Sequence, residues 1–412
     1  MEAEVRLTTW TYGGKTMGRL DDGRAVFVPF GLPGERVRIR LTQEKRGYAS
    51  GELLEVLETS PQRVVPRCLH FGVCGGCHYQ ELSYEGQLKA KREILRDQLR
   101  RIGGIESPPV REMVPSPSPW NYRNQVQFHL TEEGRLGFIG MDAPAANRII
   151  PIAECHLPEQ SINSLWPRLD FEPRTNIERV ALRSGTGDDL MLVLESGSPE
   201  VPELQIEADI SVAHVFEESS VIISGNDHIV LSVLGRRFRV SPTSFFQVNT
   251  ALADKMVEHL AAHLPLTPST TLVDVYCGVG FFSAFFAPAC GRLIGIEASP
   301  AAGEDFSANL DEFHHVELYQ GLAEEVLPGL VGQIGHPACL LVDPPRAGLE
   351  KSVVDGILSL SPEVVAYVSC DPSTLARDAA RLLKGGYRLR DVTPFDLFPQ
   401  TYHIESISLF ER

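Results

Sequence analysis

Period-two alternation of apolar and polar side chains marks the first sixty residues as β structure. Five short strands are predicted, over Glu4–Trp10, Lys15–Leu20, Ala25–Phe30, Arg36–Thr42 and Gly51–Leu57. The breaks between them hold Gly13-Gly14, Asp21-Asp22-Gly23 and Leu32-Pro33-Gly34, which supply turn geometry. Such a set suits a small closed barrel, an architecture that binds oligonucleotides on one face. Arg36, Arg38 and Arg40 share one side of their strand, with Lys45, Arg46 and Tyr48 in the next loop. Cations and an aromatic on one face fit phosphates and bases; an edge strand guarded by charge is the alternative.

The period then lengthens. Leu88, Ile94, Leu95 and Leu99 recur at helical spacing from Tyr84 to Ile102, and Gly103-Gly104 ends the run. Lys89, Lys91, Arg92, Arg96, Arg100 and Arg101 surround the apolar stripe, a basic side for RNA or a solvated face with pairs such as Glu85 to Lys89. From 122 to 240 short β segments return (Gln125–Leu130, Arg135–Ile139, Ile177–Arg183, Leu190–Glu195, Ile229–Leu234), predicting an antiparallel β-rich domain. Beyond 270, apolar β runs alternate with helical patterns, which is the signature of an open α/β sheet. That organisation divides the chain into a barrel (1–60), a central β-rich domain (61–240) and an α/β domain (241–412).

The 412 residues are 43% apolar and 22% charged, as in an ordinary globular protein. Neither a signal peptide nor a run of about 18 apolar residues is present, so a cytoplasmic protein without membrane contact is expected. A net charge of -16 argues against indiscriminate nucleic-acid binding. The charge is uneven: residues 1–125 hold 19 Lys and Arg against 15 Asp and Glu, leaving 19 against 39 in the remainder. A nucleic-acid-facing N-terminal part and an acidic catalytic part account for that split; chance variation of surface charge does so about equally well.

Three of the eight cysteines crowd together as Cys68-x5-Cys74-Gly-Gly-Cys77. Thiolates at this spacing hold iron–sulfur clusters or zinc, and the two glycines let backbone amides approach the sulfurs. Cys155 is the best fourth ligand, with His70, His78 or His156 as zinc-type substitutes.

Chemistry concentrates at predicted strand ends, where open α/β sheets bind ligands. Thr271–Val275 runs into Tyr276-Cys277-Gly278-Val279-Gly280, and Arg292–Ile296 ends in Glu297. The glycines admit a cofactor and the acid suits ribose hydroxyls; the D-x3-G-x-G spacing is typical of S-adenosylmethionine sites. Asp343 precedes two prolines and Arg346 at another strand end. Arg346 suits an anionic or carbonyl oxygen of a ligand, or simply a surface acid. Cys370 follows Val364–Ser369 and is a candidate nucleophile, though alone it reads better as a buried thiol. Glu405, in a terminal Phe398-Pro-Gln-Thr-x-His-x-Glu405 run, completes the set.

Taken with Cys74-Gly-Gly-Cys77-His-Tyr-Gln80, Phe246-Gln247-Val248-Asn249, Asp343-Pro-Pro-Arg346 and Ser369-Cys370-Asp371-Pro372, the chain resembles the RNA uracil-C5 methyltransferases over its whole length. More closely it is similar to the iron–sulfur 23S rRNA branch with an N-terminal TRAM domain. The resemblance implies a class I, Rossmann-like methyltransferase domain behind an OB-like barrel and a β-rich central domain, with the 84–102 helix packed on the catalytic domain. It implies a 4Fe-4S cluster on Cys68, Cys74, Cys77 and Cys155. S-adenosylmethionine would meet Gln247, Tyr276, Gly278, Gly280, Glu297 and Asp343. Cys370 would be the nucleophile and Glu405 the base, acting on RNA as a monomer. Four positions depart from the family pattern: Phe281 and the pair Gly321-Leu322 replace polar residues, and Asp371 replaces an asparagine.

The implied chemistry explains the residue types. Uracil C5 becomes nucleophilic when a thiolate adds at C6, and a base must then remove the C5 proton. The target base would leave its stack to reach the pocket. Cytosine-C5 methylation shares the covalent step, and a non-catalytic RNA-binding or ribosome-assembly factor is the remaining alternative. Intact Cys370 and Glu405 favour the enzyme.

Overall fold

The computed structural model spans residues 1–412 and describes all but 142–147, 174, 204 and 206–208. The first five strands, Glu2–Thr11, Lys15–Arg19, Ala25–Pro29, Arg36–Glu44 and Tyr48–Glu58, close into a barrel. Inward residues of the alternation, including Val5, Leu7, Val26, Val28, Val37 and Ile39, fill it. Each such buried side chain contributes roughly 1.5–3 kcal/mol.

The arginine face differs from the oligonucleotide platform read from the sequence. Arg38 lies 2.7 Å from Glu55 and 3.8 Å from Glu4, Arg40 lies 3.3 Å from Glu52, and Arg36 lies 3.4 Å from Glu58. Neighbouring strands place a glutamate opposite each cation, Glu4 against Arg38 and Glu2 against Arg40 in the first pairing. The result is a ladder in which each of these arginines is paired with glutamate.

The central domain is a seven-stranded sheet among the described residues. It is antiparallel except at one place: Leu190–Ser196 pairs in parallel with Ser211–Phe216, because the chain crosses over rather than turning back between them. The next hairpin, Ile229–Val233 with Arg236–Val240, buries Leu231, Phe238 and Val240 in the same core as Phe246, Leu252 and Met256.

The C-terminal sheet has the order Val316–Gln320, Arg292–Glu297, Thr271–Val275, Cys339–Val342, Val364–Ser369, Glu405–Glu411, Arg388–Phe395. Its first five strands are parallel and Glu405–Glu411 runs antiparallel between the last two neighbours. Strand order reverses beside Thr271–Val275, the place where doubly wound sheets bind ligands.

Helix Tyr84–Arg101 starts on Ser83, whose hydroxyl caps the Gly86 amide, and its Ile94, Leu95 and Leu99 pack into the core of this sheet. Its basic residues are mostly satisfied within the protein. Lys89 pairs with Glu85 at 2.7 Å and Arg92 with Glu112 at 2.6 Å. Lys91, expected on the outer basic side, is instead wholly buried, 2.5 Å from Asp396 and 2.9 Å from the Phe398 carbonyl. Lys91 falls on the same helical face as Ile94 and Leu95, so the core side of the helix carries it inward. No helix of the described residues is long and apolar enough to cross a membrane.

Candidate active site and cysteine cavity

Cys370 and Glu405 meet because of strand register. In the antiparallel pair, Val368 stands opposite Ile407 and Ser369 opposite Ser406. Cys370 and Glu405 are the next residues at this end of the pair, and Glu405 is the strongest charge acting on the Cys370 thiol. Asp371 N-caps the following helix, Pro372–Lys384, by accepting from the amides of Ser373 at 2.8 Å and Thr374 at 3.1 Å. Cys370 is therefore held in a tight strand-to-helix turn, half-buried.

Asp343 ends the adjacent parallel strand, its amide donating to the Val275 carbonyl at 3.2 Å. The cleft gathers acids against one guanidinium. Burial, then the charges of Glu405 and Asp343, push the Cys370 thiol up to about 12, with Arg346 opposing. Burial and Asp343 raise Glu405 well above the carboxylate range. Burial and Asp274 raise Asp343 to about 7. Electrostatics of this sign favour a cationic ligand.

Arg346 is exposed and its guanidinium lies 3.3 Å from the His403 ring. Burial, then Arg346 and Arg123, push His403 down to about 3, so its ring stays neutral. The loop before Glu405 is fastened from outside the domain. Gln400 adopts a left-handed φ of 69°, and its carbonyl accepts from His78 and Tyr79 amides at 2.8 and 3.1 Å. Gln87 clasps the same residue, accepting from the Gln400 amide at 2.9 Å and donating to its side-chain oxygen at 3.0 Å.

At the switch point, Tyr276 has φ 63° and Gly278 φ 53°, and a Cβ at Gly278 would meet nothing within 4 Å. That open space above the turn is room for a cofactor. Gly280 is required by packing: a Cβ there would lie 2.4 Å from Leu310 and 2.9 Å from Phe306. The Glu297 oxygens accept from the Gly278 and Ser299 amides at 2.9 and 2.7 Å, fixing the carboxylate at its strand end. Gln247 is buried, and its carbonyl accepts from Asn124 at 2.9 Å. Its loop hangs on buried Asp305, which accepts from Ser241, Ser244 and Arg239. Phe281 turns away from the turn into a cluster with Phe238 and Phe246, so this departure fills the core. Leu322 is exposed.

The TRAM domain model matches residues 2–54, and the tRNA (Uracil-5-)-methyltransferase family model matches residues 335–412. An uncharacterized RNA methyltransferase of Halalkalibacterium halodurans is 33% identical across 99% of this chain and 96% of its own length. Another, from Thermosynechococcus vestitus, is 34% identical across 98% of this chain and 97% of its own. The chain belongs to the RNA (uracil-5-)-methyltransferase family. Its fold is also that of the Pyrococcus abyssi tRNA (uracil-54, C5)-methyltransferase in complex with S-adenosyl-L-homocysteine: TM-score 0.75, 24% identity, 98% of this chain and 99% of that one covered.

This methyltransferase has a second concentration of thiols. Cys68, Cys74, Cys77 and Cys155 line one cavity of about 230 Å³, together with His70, His156 and Arg123. Among the described residues, no three His, Cys, Asp or Glu side chains converge to hold a single metal ion. The four thiols share the lining of this one cavity. Backbone amides already aim at them: Gly76 donates to Cys74 Sγ and His70 to Cys68 Sγ, both at 3.4 Å. Gly75 must be glycine, since a Cβ would lie 2.7 Å from the Ile139 carbonyl. Burial, with the other thiols adding, raises Cys77 to about 12 and Cys155 to about 11, and Arg123 opposes both shifts. His78 leaves this set: its ring packs edge-on against Tyr402 at 4.5 Å.

Arg123, Gln87 and Asp305 lie in no chemical motif, and each acts on residues more than 30 positions away in the chain.

Proposed function

We propose that this protein methylates C5 of a uridine in RNA, with 23S rRNA as the substrate, working as a monomer. S-adenosylmethionine supplies an electrophilic methyl group on a cationic sulfur. The observation that carries the reading is the strand pairing that brings Cys370 and Glu405 to the same sheet end, inside an acid-rich cleft beside the switch point. In this reading the Cys370 thiolate bonds to C6 of uracil, and the displaced electron pair makes C5 nucleophilic. After C5 gains its methyl group, Glu405 takes the C5 proton and the C6–S bond breaks, returning the thiolate. Asp343 and Glu405 favour a cation in the cleft; Gly278 leaves room above the turn, and Glu297 offers a fixed carboxylate. Gln247 and Tyr276 would border the donor. Arg346, exposed beside His403, is free to meet the uracil carbonyls or a phosphate.

Cys68, Cys74, Cys77 and Cys155 would hold a 4Fe-4S cluster, supported by the one cavity they share, the amides on two of the sulfurs, and a nearby arginine that offsets thiolate charge. Methyl transfer is redox neutral, so the cluster's contribution is to hold the segment together and dock RNA.

The test is Glu405→Gln incubated with ribosomal RNA and methyl donor. A protein–RNA adduct that survives denaturing electrophoresis is expected, dependent on Cys370. Wild-type turnover without adduct would remove Glu405 from its role. Mapping 5-methyluridine in ribosomal and transfer RNA with and without the protein tests the substrate.

A further inference from the structure

The first barrel hairpin reaches the proposed nucleophile. Strands Glu2–Thr11 and Lys15–Arg19 are joined by Tyr12-Gly13-Gly14, both glycines at positive φ. A Cβ at Gly14 would sit 3.2 Å from the His78 ring, so the tip lies tight against the cysteine-rich segment. From that tip the Tyr12 hydroxyl donates to Asp371 Oδ2 at 2.9 Å, across 359 residues of chain. The Tyr12 ring packs edge-on against Tyr402 at 5.6 Å, and Tyr402 touches His403 at 4.4 Å. The hairpin therefore forms one wall of the cleft.

Asp371 divides its two carboxylate oxygens between separate partners. Oδ1 is committed to the helix N-cap, accepting from Ser373 and Thr374. Oδ2 remains, and as a carboxylate oxygen it can only accept. An asparagine capping the same helix would present an NH2 group there and reverse the direction of the bond. A tyrosine hydroxyl matched to a carboxylate makes a charge-assisted bond. Burial, then the Asp371 charge, raises the Tyr12 hydroxyl, so it keeps its proton and stays a donor.

We infer that Tyr12 is a positioning residue for Cys370, through which docking of the barrel sets the turn and the charge beside the reacting thiol. The inference rests on Cys370 being the nucleophile. Four groups face that sulfur: Glu405, Asp343 and Asp371 hold its proton on, and Arg346 works against them. The Tyr12 hydroxyl disperses the charge of Asp371, the acid next to Cys370 in the chain. Its removal leaves that carboxylate oxygen unpaired and the thiol harder to ionise.

The test uses full-length protein and reads Cys370 alkylation by iodoacetamide against pH, on the peptide that carries it, by mass spectrometry. Tyr12→Phe keeps the ring against Tyr402 and loses only the hydroxyl. Alkylation at a fixed pH below the thiol's midpoint should slow about threefold, a midpoint rise of about half a unit. Single-turnover methyl transfer at saturating RNA should fall about 5- to 20-fold with the RNA KM unchanged. Asp371→Ser retains an N-cap and removes the charge, so alkylation should speed up, the opposite sign. Adding Tyr12→Phe to Asp371→Ser should then change nothing further, because the partner is already gone. An unmoved alkylation profile in Tyr12→Phe, a loss confined to KM, or additive effects in the double variant would each overturn the role. An active Cys370→Ala enzyme would instead sink the functional reading on which it rests.

Discussion

Two thiol sites in one chain differ in nearly everything but the sulfur. Around the cysteine cavity, loop amides donate to Cys74 and Cys68 and the Arg123 guanidinium stands by Cys77 and Cys155. Burial raises those thiols as well, but there backbone amides and a guanidinium oppose the shift. At the sheet end, Cys370 has three acids beside it and one exposed arginine. That neighbourhood discourages a standing thiolate and suits one that forms only when a cation and a substrate arrive. Whether a thiol is a ligand or a nucleophile is decided by what surrounds it, and those surroundings are assembled from distant segments.

Substitutions that separate the two sites sharpen the contrast. Cys370→Ala should reduce methyl transfer by at least about 10³-fold while leaving iron content unchanged, read by single turnover and colorimetric iron assay. Cys155→Ser should do the reverse in kind: iron is lost on purification, and the melting temperature drops by several degrees while Cys370 remains alkylatable. Equal iron in Cys155→Ser and wild type would remove Cys155 from the ligand set. Next in size is the support between the sites. Lys91→Met strands Asp396 without its buried partner and should cost about 3–5 kcal/mol in urea unfolding. A cost under about 1 kcal/mol would mean that burial had already neutralised the pair. The smallest effect belongs to the barrel ladder. Arg38→Ala should leave RNA affinity within about twofold of wild type, because that cation already faces Glu55 and Glu4. A tenfold loss in filter binding would restore the arginine face as an RNA platform.

The sequence was most legible where the controlling interactions are local. Turn residues at Gly13-Gly14 and Pro33-Gly34 marked the barrel strands, and the glycine turn after Val275 marked the switch point. Pairing across strands was harder to see. Arg36, Arg38 and Arg40 shared a face as read, yet their glutamates arrive from two other strands, and only register reveals them. Lys91 looked like part of a solvated helix side, and its partner Asp396 lies 305 residues away. The parallel pair in the central sheet escaped for a similar reason, since alternation reports a face and not a direction. In the site, the individual chemical groups stood out in the sequence, and their supports did not. Tyr12, Gln87 and Asp305 carry no local signature, and their importance appears only once the chain has brought them to the cleft.

The clasp at Gln400 bears on how the protein can be divided. A fragment beginning at residue 241 would inherit the proposed nucleophile, base and donor-binding residues. It would leave behind His78, Tyr79, Gln87 and Lys91, four of the residues that fasten the stretch leading into Glu405. The α/β portion holds the reagents, but the mould that shapes them is cast by the first hundred residues.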